Sequence, residues 1–190
     1  MKRFLIYLLL GLIPALSVSS VRAQVPPPVD IGIQNITQET PVWCWVAAAQ
    51  QIIFALQGPN GTPPQCGLVA IASNVPPQAC CQMPTPCMRT GHLQEIQGLI
   101  LHFGGRFSAI APPADPMTVY QTLASRRAII MAVQSSPFSG HVVVIRGMEW
   151  VPTPMGIQPV LYINDPMGFF TQPVPFQSIL PYWSAAIVVN

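Results

Sequence analysis

Apolar residues recur at the i, i+3, i+4, i+7 spacing over residues 43–56, where Trp45, Ala48, Ala49, Ile52, Ile53 and Leu56 share one face. This predicts a buried helix, and Gly58-Pro59-Asn60-Gly61 stops it. A second helical period covers residues 90–103, with Leu93, Ile96, Ile100 and Phe103 inward and Gly104-Gly105 as its end. Asp115-Pro116 supplies an N-cap and a first-turn proline for a third helix that runs through Val119 and Leu123 to Arg126. The pattern then changes: residues 128–134, 142–149, 160–164 and 185–189 are rich in β-branched residues and bounded by Gly or Pro, which predicts strands. Residues 24–36 read as an extended lead-in, and residues 62–89, rich in Pro and Cys with neither period, as a disulfide-stapled loop region. Helices first and antiparallel strands afterwards define an α+β domain of two unlike halves, and a cleft between them is the natural place for a site.

The N-terminus changes how the composition is read. Lys2 and Arg3 precede an apolar run from Phe4 to Leu16, and Val21-Arg22-Ala23 offers small or apolar residues where a signal peptidase reads. The run falls short of the roughly 20 residues that span a bilayer, and Pro14 interrupts it. The expectation is a signal peptide over residues 1–23, one domain over 24–190, export to the periplasm or beyond, and no stable membrane anchor after cleavage. Without that segment five arginines face six acids, a net charge near −1 with no lysine. The basic sequence pI of 8.4 therefore belongs to the leader and points to no nucleic-acid partner. A monomer is the default.

Five cysteines in a chain bound for an oxidising compartment leave one over. Cys66, Cys80, Cys81 and Cys87 crowd into the loop region, whereas Cys44 stands alone at a predicted helix, so two disulfides and one free thiol are expected. Vicinal bridges strain the peptide between them, which leaves Cys66–Cys80 with Cys81–Cys87, or Cys66–Cys81 with Cys80–Cys87. A zinc site from Cys80, Cys81, Cys87 and His92 matches no usual ligand spacing. His92 and His102 have no Asp or Glu at useful spacing for a metal, and none is expected.

Chemistry concentrates around Gln38-Glu39-Thr40-Pro41-Val42-Trp43-Cys44-Trp45. A thiol in the first turn of a helix lies near unpaired N–H groups and the positive end of the dipole, which favour the attacking thiolate. Free cysteine is also a common buried hydrophobe, so Cys44 alone decides nothing. Gln38, six positions upstream, can donate its amide to an oxyanion if the chain folds back through Pro41, beside the Cys44 backbone N–H. Ser139-Gly140-His141 puts a histidine at the start of a core strand, and the next strand ends in Asn164-Asp165-Pro166. A hairpin would bring that polar end beside His141.

Gln38, Cys44 and Trp45 resemble the glutamine, six-residue step, cysteine-tryptophan pattern of papain-like cysteine peptidases, and His141 followed by Asp165 keeps that family's order. The chain is most similar to bacterial secreted and effector branches. It also resembles bacteriocin-processing peptidases, which share a Gly-His-apolar strand and a later Asp-Pro. The likeness covers residues 36–56 and 128–168. It implies a Cys44 nucleophile, a His141 base, Asp165 orienting the imidazole, an oxyanion held by Gln38, a protein or peptide substrate, and no cofactor. Plant papains carry Asn followed by Ser-Trp in the third role, so Asn164 is the alternative to Asp165. A transglutaminase or amidase, which would use an amine acceptor, an effector modifying a host protein, which differs in target, and a binding module with a decayed site, in which Cys44 would not react with an alkylator, fit the same residues.

Overall fold

A computed structural model describes residues 25–136 and 139–190. The expected signal peptide lies outside the described residues. A two-residue strand, β1 (Val29–Asp30), precedes four helices: α1 (Cys44–Gln57), α2 (Gln65–Ala72), α3 (Pro77–Gln82) and α4 (Leu93–Gly104). Strand β2 (Ser108–Ala111) and helix α5 (Pro116–Ala124) follow. The remainder is β3 (Ile129–Ser136), β4 (Ser139–Thr153), β5 (Gly156–Asn164), β6 (Val174–Pro175), the one-turn α6 (Phe176–Ile179) and β7 (Trp183–Val189). The strands form one antiparallel sheet in the order β2-β7-β3-β4-β5-β6, with β1 on β4.

The three expected helices are present with shifted ends. α1 starts at Cys44 and stops before Gly58, whose φ of 70° is a left-handed conformation that glycine adopts without strain. α5 is capped by Asp115, whose carboxylate accepts from the N–H groups of Met117 and Thr118. It ends at Ala124, short of the expected Arg126.

Residues 62–89 depart most from expectation, because they hold α2 and α3 as well as the staple. Gln65-Cys-Gly-Leu-Val-Ala-Ile-Ala is apolar nearly all round, so no polar face marks it as helical, and Leu68, Val69 and Ala70 are fully buried. β2 was also not expected from the pattern. It is short, and it is made by pairing with β7 rather than by its own alternation.

The sheet is covered on both faces, which is why its strands read as continuous apolar runs. Ile130, Val144, Ile187 and Val189 pack with α1, α2 and α4. Ile129, Met131, Val133, Val143 and Ile145 pack on the other side with Val119 and Leu123 of α5 and with Phe176 and Ile179 of α6. Gly147 lets β1 close on β4, since a Cβ there would lie 2.6 Å from the Val29 carbonyl oxygen.

Candidate active site

Cys44 is the first residue of α1 and is the free thiol among the described residues. Its neighbours Trp43 and Trp45 are each only 1% exposed. Each indole N–H donates to a backbone carbonyl of one irregular segment: Trp43 to Cys87 at 3.1 Å, Trp45 to Arg89 at 3.2 Å. Gly91 lies flat on Trp45, where a Cβ would come within 2.2 Å of the ring. The Arg89 guanidinium sits 5.1 Å from the Trp45 ring centre and pairs with Glu95 at 2.6 Å. Disulfides Cys66–Cys81 and Cys80–Cys87 tie this segment to α2 and α3. Of the two connectivities the sequence left open, the structure holds the second. The bridges occupy Cys80, Cys81 and Cys87, so His92 has no thiolates with which to hold zinc.

His141 enters β4 opposite Val133 of β3. At the far end of the hairpin Asn164 is opposite Val144, and Asp165 follows it. Successive side chains of a strand point to opposite faces. Asn164 turns to the lead-in, where its amide donates to the Ile33 carbonyl at 2.8 Å. Asp165 turns to the histidine, with Oδ1 2.6 Å from His141 Nε2. Its carboxylate is 1% exposed and also accepts from three backbone N–H groups of the following turn, those of Met167 (2.8 Å), Phe169 (2.8 Å) and Phe170 (3.1 Å).

The electrostatics follow from these contacts. Burial alone would lower the His141 pKa, but hydrogen bonding to Asp165, together with the nearby Cys44, outweighs it and raises the value to about 9. Burial would likewise raise Asp165, yet the His141 hydrogen bond and the turn N–H groups outweigh it and hold its carboxyl below the ordinary range. The pair is therefore an imidazolium and a carboxylate at neutral pH. Nε2 is taken by Asp165, so the influence of Cys44 falls on the Nδ1 side. Nδ1 is buried and lacks a hydrogen bond of good geometry among the described residues, and such contacts often tighten only when substrate is bound.

Cys44 and His141 both line a cleft of about 440 Å³, Cys44 together with Thr90, Gly91 and His92, and His141 together with Ala132, Val133 and Ser184. A second hollow of about 370 Å³ is lined by Gln38, Pro166, Met167 and Phe169. Gln38 Nε2 donates to the Thr40 carbonyl at 2.6 Å; among the described residues its other amide hydrogen has no acceptor and its buried Oε1 has no partner. The Gln38 N–H donates to the Pro166 carbonyl at 3.1 Å, which ties the glutamine to the turn that holds Asp165.

Several residues of the site gave no signal in the sequence. Asn35 donates to the Asp165 carbonyl at 3.1 Å, and Gln51 of α1 donates to Asn35 Oδ1 and to the Ile36 carbonyl. Gln65 of α2 grips residues 37–39 from both ends of its amide, donating to the Thr37 carbonyl and accepting from the Glu39 N–H. Phe169 and His141 meet in a T-shaped arrangement, with ring centres 6.1 Å apart. Polar residues with partners 15 to 130 positions away leave no local pattern to read.

The geometry defines a thiol and a charge-paired imidazole at the junction of a helical half and an antiparallel sheet. The family model of the papain-like cysteine protease AvrRpt2 matches residues 27–178. The chain belongs to that family: it is a papain-like cysteine peptidase, a hydrolase acting on protein substrates. Among solved structures, a C39-like peptidase from Bacillus anthracis is similar at 11% identity and a TM-score of 0.48, over 87% of this chain and 98% of that one. UfSP from C. elegans is similar at 12% identity and a TM-score of 0.43, over 86% of this chain and 34% of that one. No curated protein matches the sequence.

Proposed function

We propose that the protein is an exported peptidase that cleaves peptide bonds through a Cys44 acyl-enzyme, with His141 as its acid and base and Asp165 holding the histidine. The observation that carries this reading is the 2.6 Å contact of His141 Nε2 with a buried carboxylate, which leaves Nδ1 to the side of a free thiol at a helix start. The charged imidazole is the proton donor, and Cys44 attacks as the thiolate. The S–C bond forms on the scissile carbonyl, and the negative oxygen is met by the Cys44 backbone N–H and the free amide hydrogen of Gln38. The C–N bond then breaks as His141 gives its Nδ1 proton to the leaving amine. Water, deprotonated by the same nitrogen, attacks the thioester, so a C–O bond replaces C–S and the thiolate returns. Asp165 orients the ring and stabilises its charge at both stages.

Export is supported by the two disulfides, which persist in oxidising compartments, and by the basic-then-apolar N-terminus. Recovery of the exported protein beginning near Gln24 would test this part separately. The chemistry is tested by presenting a peptide library to the mature domain with and without an epoxide-type thiol inhibitor. The expected result is hydrolysis that stops as Cys44 becomes labelled. Labelling of Cys44 with hydrolysis unchanged would overturn it.

A further inference from the structure

The described residues contain five arginines. Arg89 pairs with Glu95 and Arg146 with Asp30. Arg106, Arg126 and Arg127 have no acid within ion-pair distance among the described residues, and all three line one cavity of about 340 Å³. Its floor is apolar, made by Ile31, Ile33, Ile52 and Val189. No Asp or Glu lines it. It lies toward the end of α1, and Leu56 on its wall is about 18 Å along the helix from Cys44 at 1.5 Å per residue.

A structural reason for these arginines exists and is insufficient. α1, α4 and α5 all end at this place, at Gln57, Gly104 and Ala124, and cations are favoured at helix C-termini. Three such ends carry roughly −1.5 elementary charges and the α-carboxylate of Asn190, which also lines the cavity, about one more, still short of three full positive charges. None of the three guanidinium groups donates to a helix carbonyl among the described residues. Arg127 donates to the Asn190 side chain, and its Nε is buried with no partner. A buried, unpaired guanidinium nitrogen is costly unless a ligand or an ordered water completes it.

We propose that this cavity binds a carboxylate carried on a short apolar chain, the carboxylate against Arg127 with Arg106 and Arg126 at the rim and the chain on the isoleucine floor. The volume is at the small end of ligand pockets, which limits the ligand to about the size of a medium-chain fatty acid or a capped dipeptide. Two sources share this chemistry, a free medium-chain fatty acid and the C-terminus of a peptide ending in an apolar residue. The site stands apart from the catalytic reading.

Calorimetric titration of the mature protein with octanoate and with N-acetyl-leucyl-leucine tests it, with octanol and acetate as controls. Either carboxylate should bind at least tenfold more tightly than octanol and than acetate, and the tighter of the two identifies the source. Arg127→Gln should weaken binding at least tenfold while peptide hydrolysis is unchanged. Ala55→Trp, at an exposed position on the cavity wall, should block binding with every arginine retained, and serves if the arginine variant does not fold. Equal binding of octanol and octanoate, no binding of either carboxylate, or undiminished binding in both variants would overturn the proposal.

Discussion

The two walls of the cleft are held in different ways. The wall with Cys44 rests on side-chain bonds to an irregular segment: two buried indoles donate to the carbonyls of Cys87 and Arg89, and a disulfide fixes that segment to α3. The wall with His141 rests on a regular ladder, where β3, β4 and β5 set the strand ends in register and one carboxylate gathers four donors. One wall depends on covalent staples and the other on hydrogen-bonded charge. Different perturbations should therefore damage them separately.

The largest effect tests the chemistry that joins the two walls. Cys44→Ala and His141→Ala should each reduce turnover by roughly 10⁴-fold or more, and the double variant by little further, because members of one catalytic unit are not additive. Melting should stay cooperative in both. Turnover near the original level in either variant would break the comparison at its centre, since only one wall would then carry the reaction.

The next effect is confined to the sheet side. Asp165→Ala should lower turnover by roughly 10²-fold or more, because the imidazole loses both its orientation and its counter-charge. Asp165→Asn should keep part of the activity, since an amide oxygen still accepts from Nε2. Asn164→Ala should instead cost stability, about 1–3 kcal/mol, by leaving the buried Ile33 carbonyl without its donor. Kinetics and melting of the three variants check this. Greater loss of turnover in Asn164→Ala than in Asp165→Ala would exchange their roles.

The same contrast explains what could be read from the sequence. The ladder side was legible: Gly-His before an apolar run and Asn-Asp-Pro after one mark two strand ends, and strand alternation sends Asn164 and Asp165 to opposite faces. α1 was legible because its apolar stripe has a helical period. The stapled wall was not. α2 is buried nearly all round and shows no amphipathic contrast, and cysteine spacing cannot choose between two pairings. Gln65, Gln51 and Asn35 act through partners far along the chain, so nothing adjacent announces them.

Breaking the staples should affect the cysteine wall first. In the loop-entropy account Cys66–Cys81 contributes about 3 kcal/mol and Cys80–Cys87 about 2 kcal/mol. Cys80→Ser with Cys87→Ser should lower the melting temperature and reduce turnover, since residues 87–91 carry the carbonyls that position Trp43 and Trp45. The His141 pKa, followed by NMR of the ring, should stay above its ordinary value in that variant even where the smaller contribution of Cys44 changes, because Asp165 and its turn are untouched. Non-reducing mass spectrometry of the parent should show these two bridges and one alkylatable thiol at Cys44. Loss of the raised His141 pKa in the double serine variant would mean that the two walls are not independent.

The smallest effect belongs to the ladder wall and appears as a dependence of stability on pH. His141 has a folded pKa of about 9 against an ordinary 6.5, so the folded protein holds its proton more tightly than the unfolded chain does. The stabilisation is fully present below pH 6.5 and is lost as pH rises through 9, because over that window folding takes up a proton. The imidazole is partly exposed and its titration is shared with the Asp165 carboxylate and with Cys44, so screening and coupling reduce the loss to about 1 kcal/mol. Asp165 acts in the opposite sense: its folded pKa is depressed, so its contribution is present above its ordinary value of 3.8 and is lost as pH falls through the lower folded value. Chemical denaturation should therefore find the stability maximum between roughly pH 4 and pH 6.5, with the alkaline flank set by this ion pair and the acid flank shared with Glu95 and Asp115, whose carboxyls are also held below the ordinary range. His141→Gln should flatten the alkaline flank, and Asp165→Asn should weaken both flanks at once, since it removes the acid and the main cause of the histidine's raised value. An alkaline flank unchanged in His141→Gln would place the titrating group elsewhere and remove the charged pair from the account of this wall.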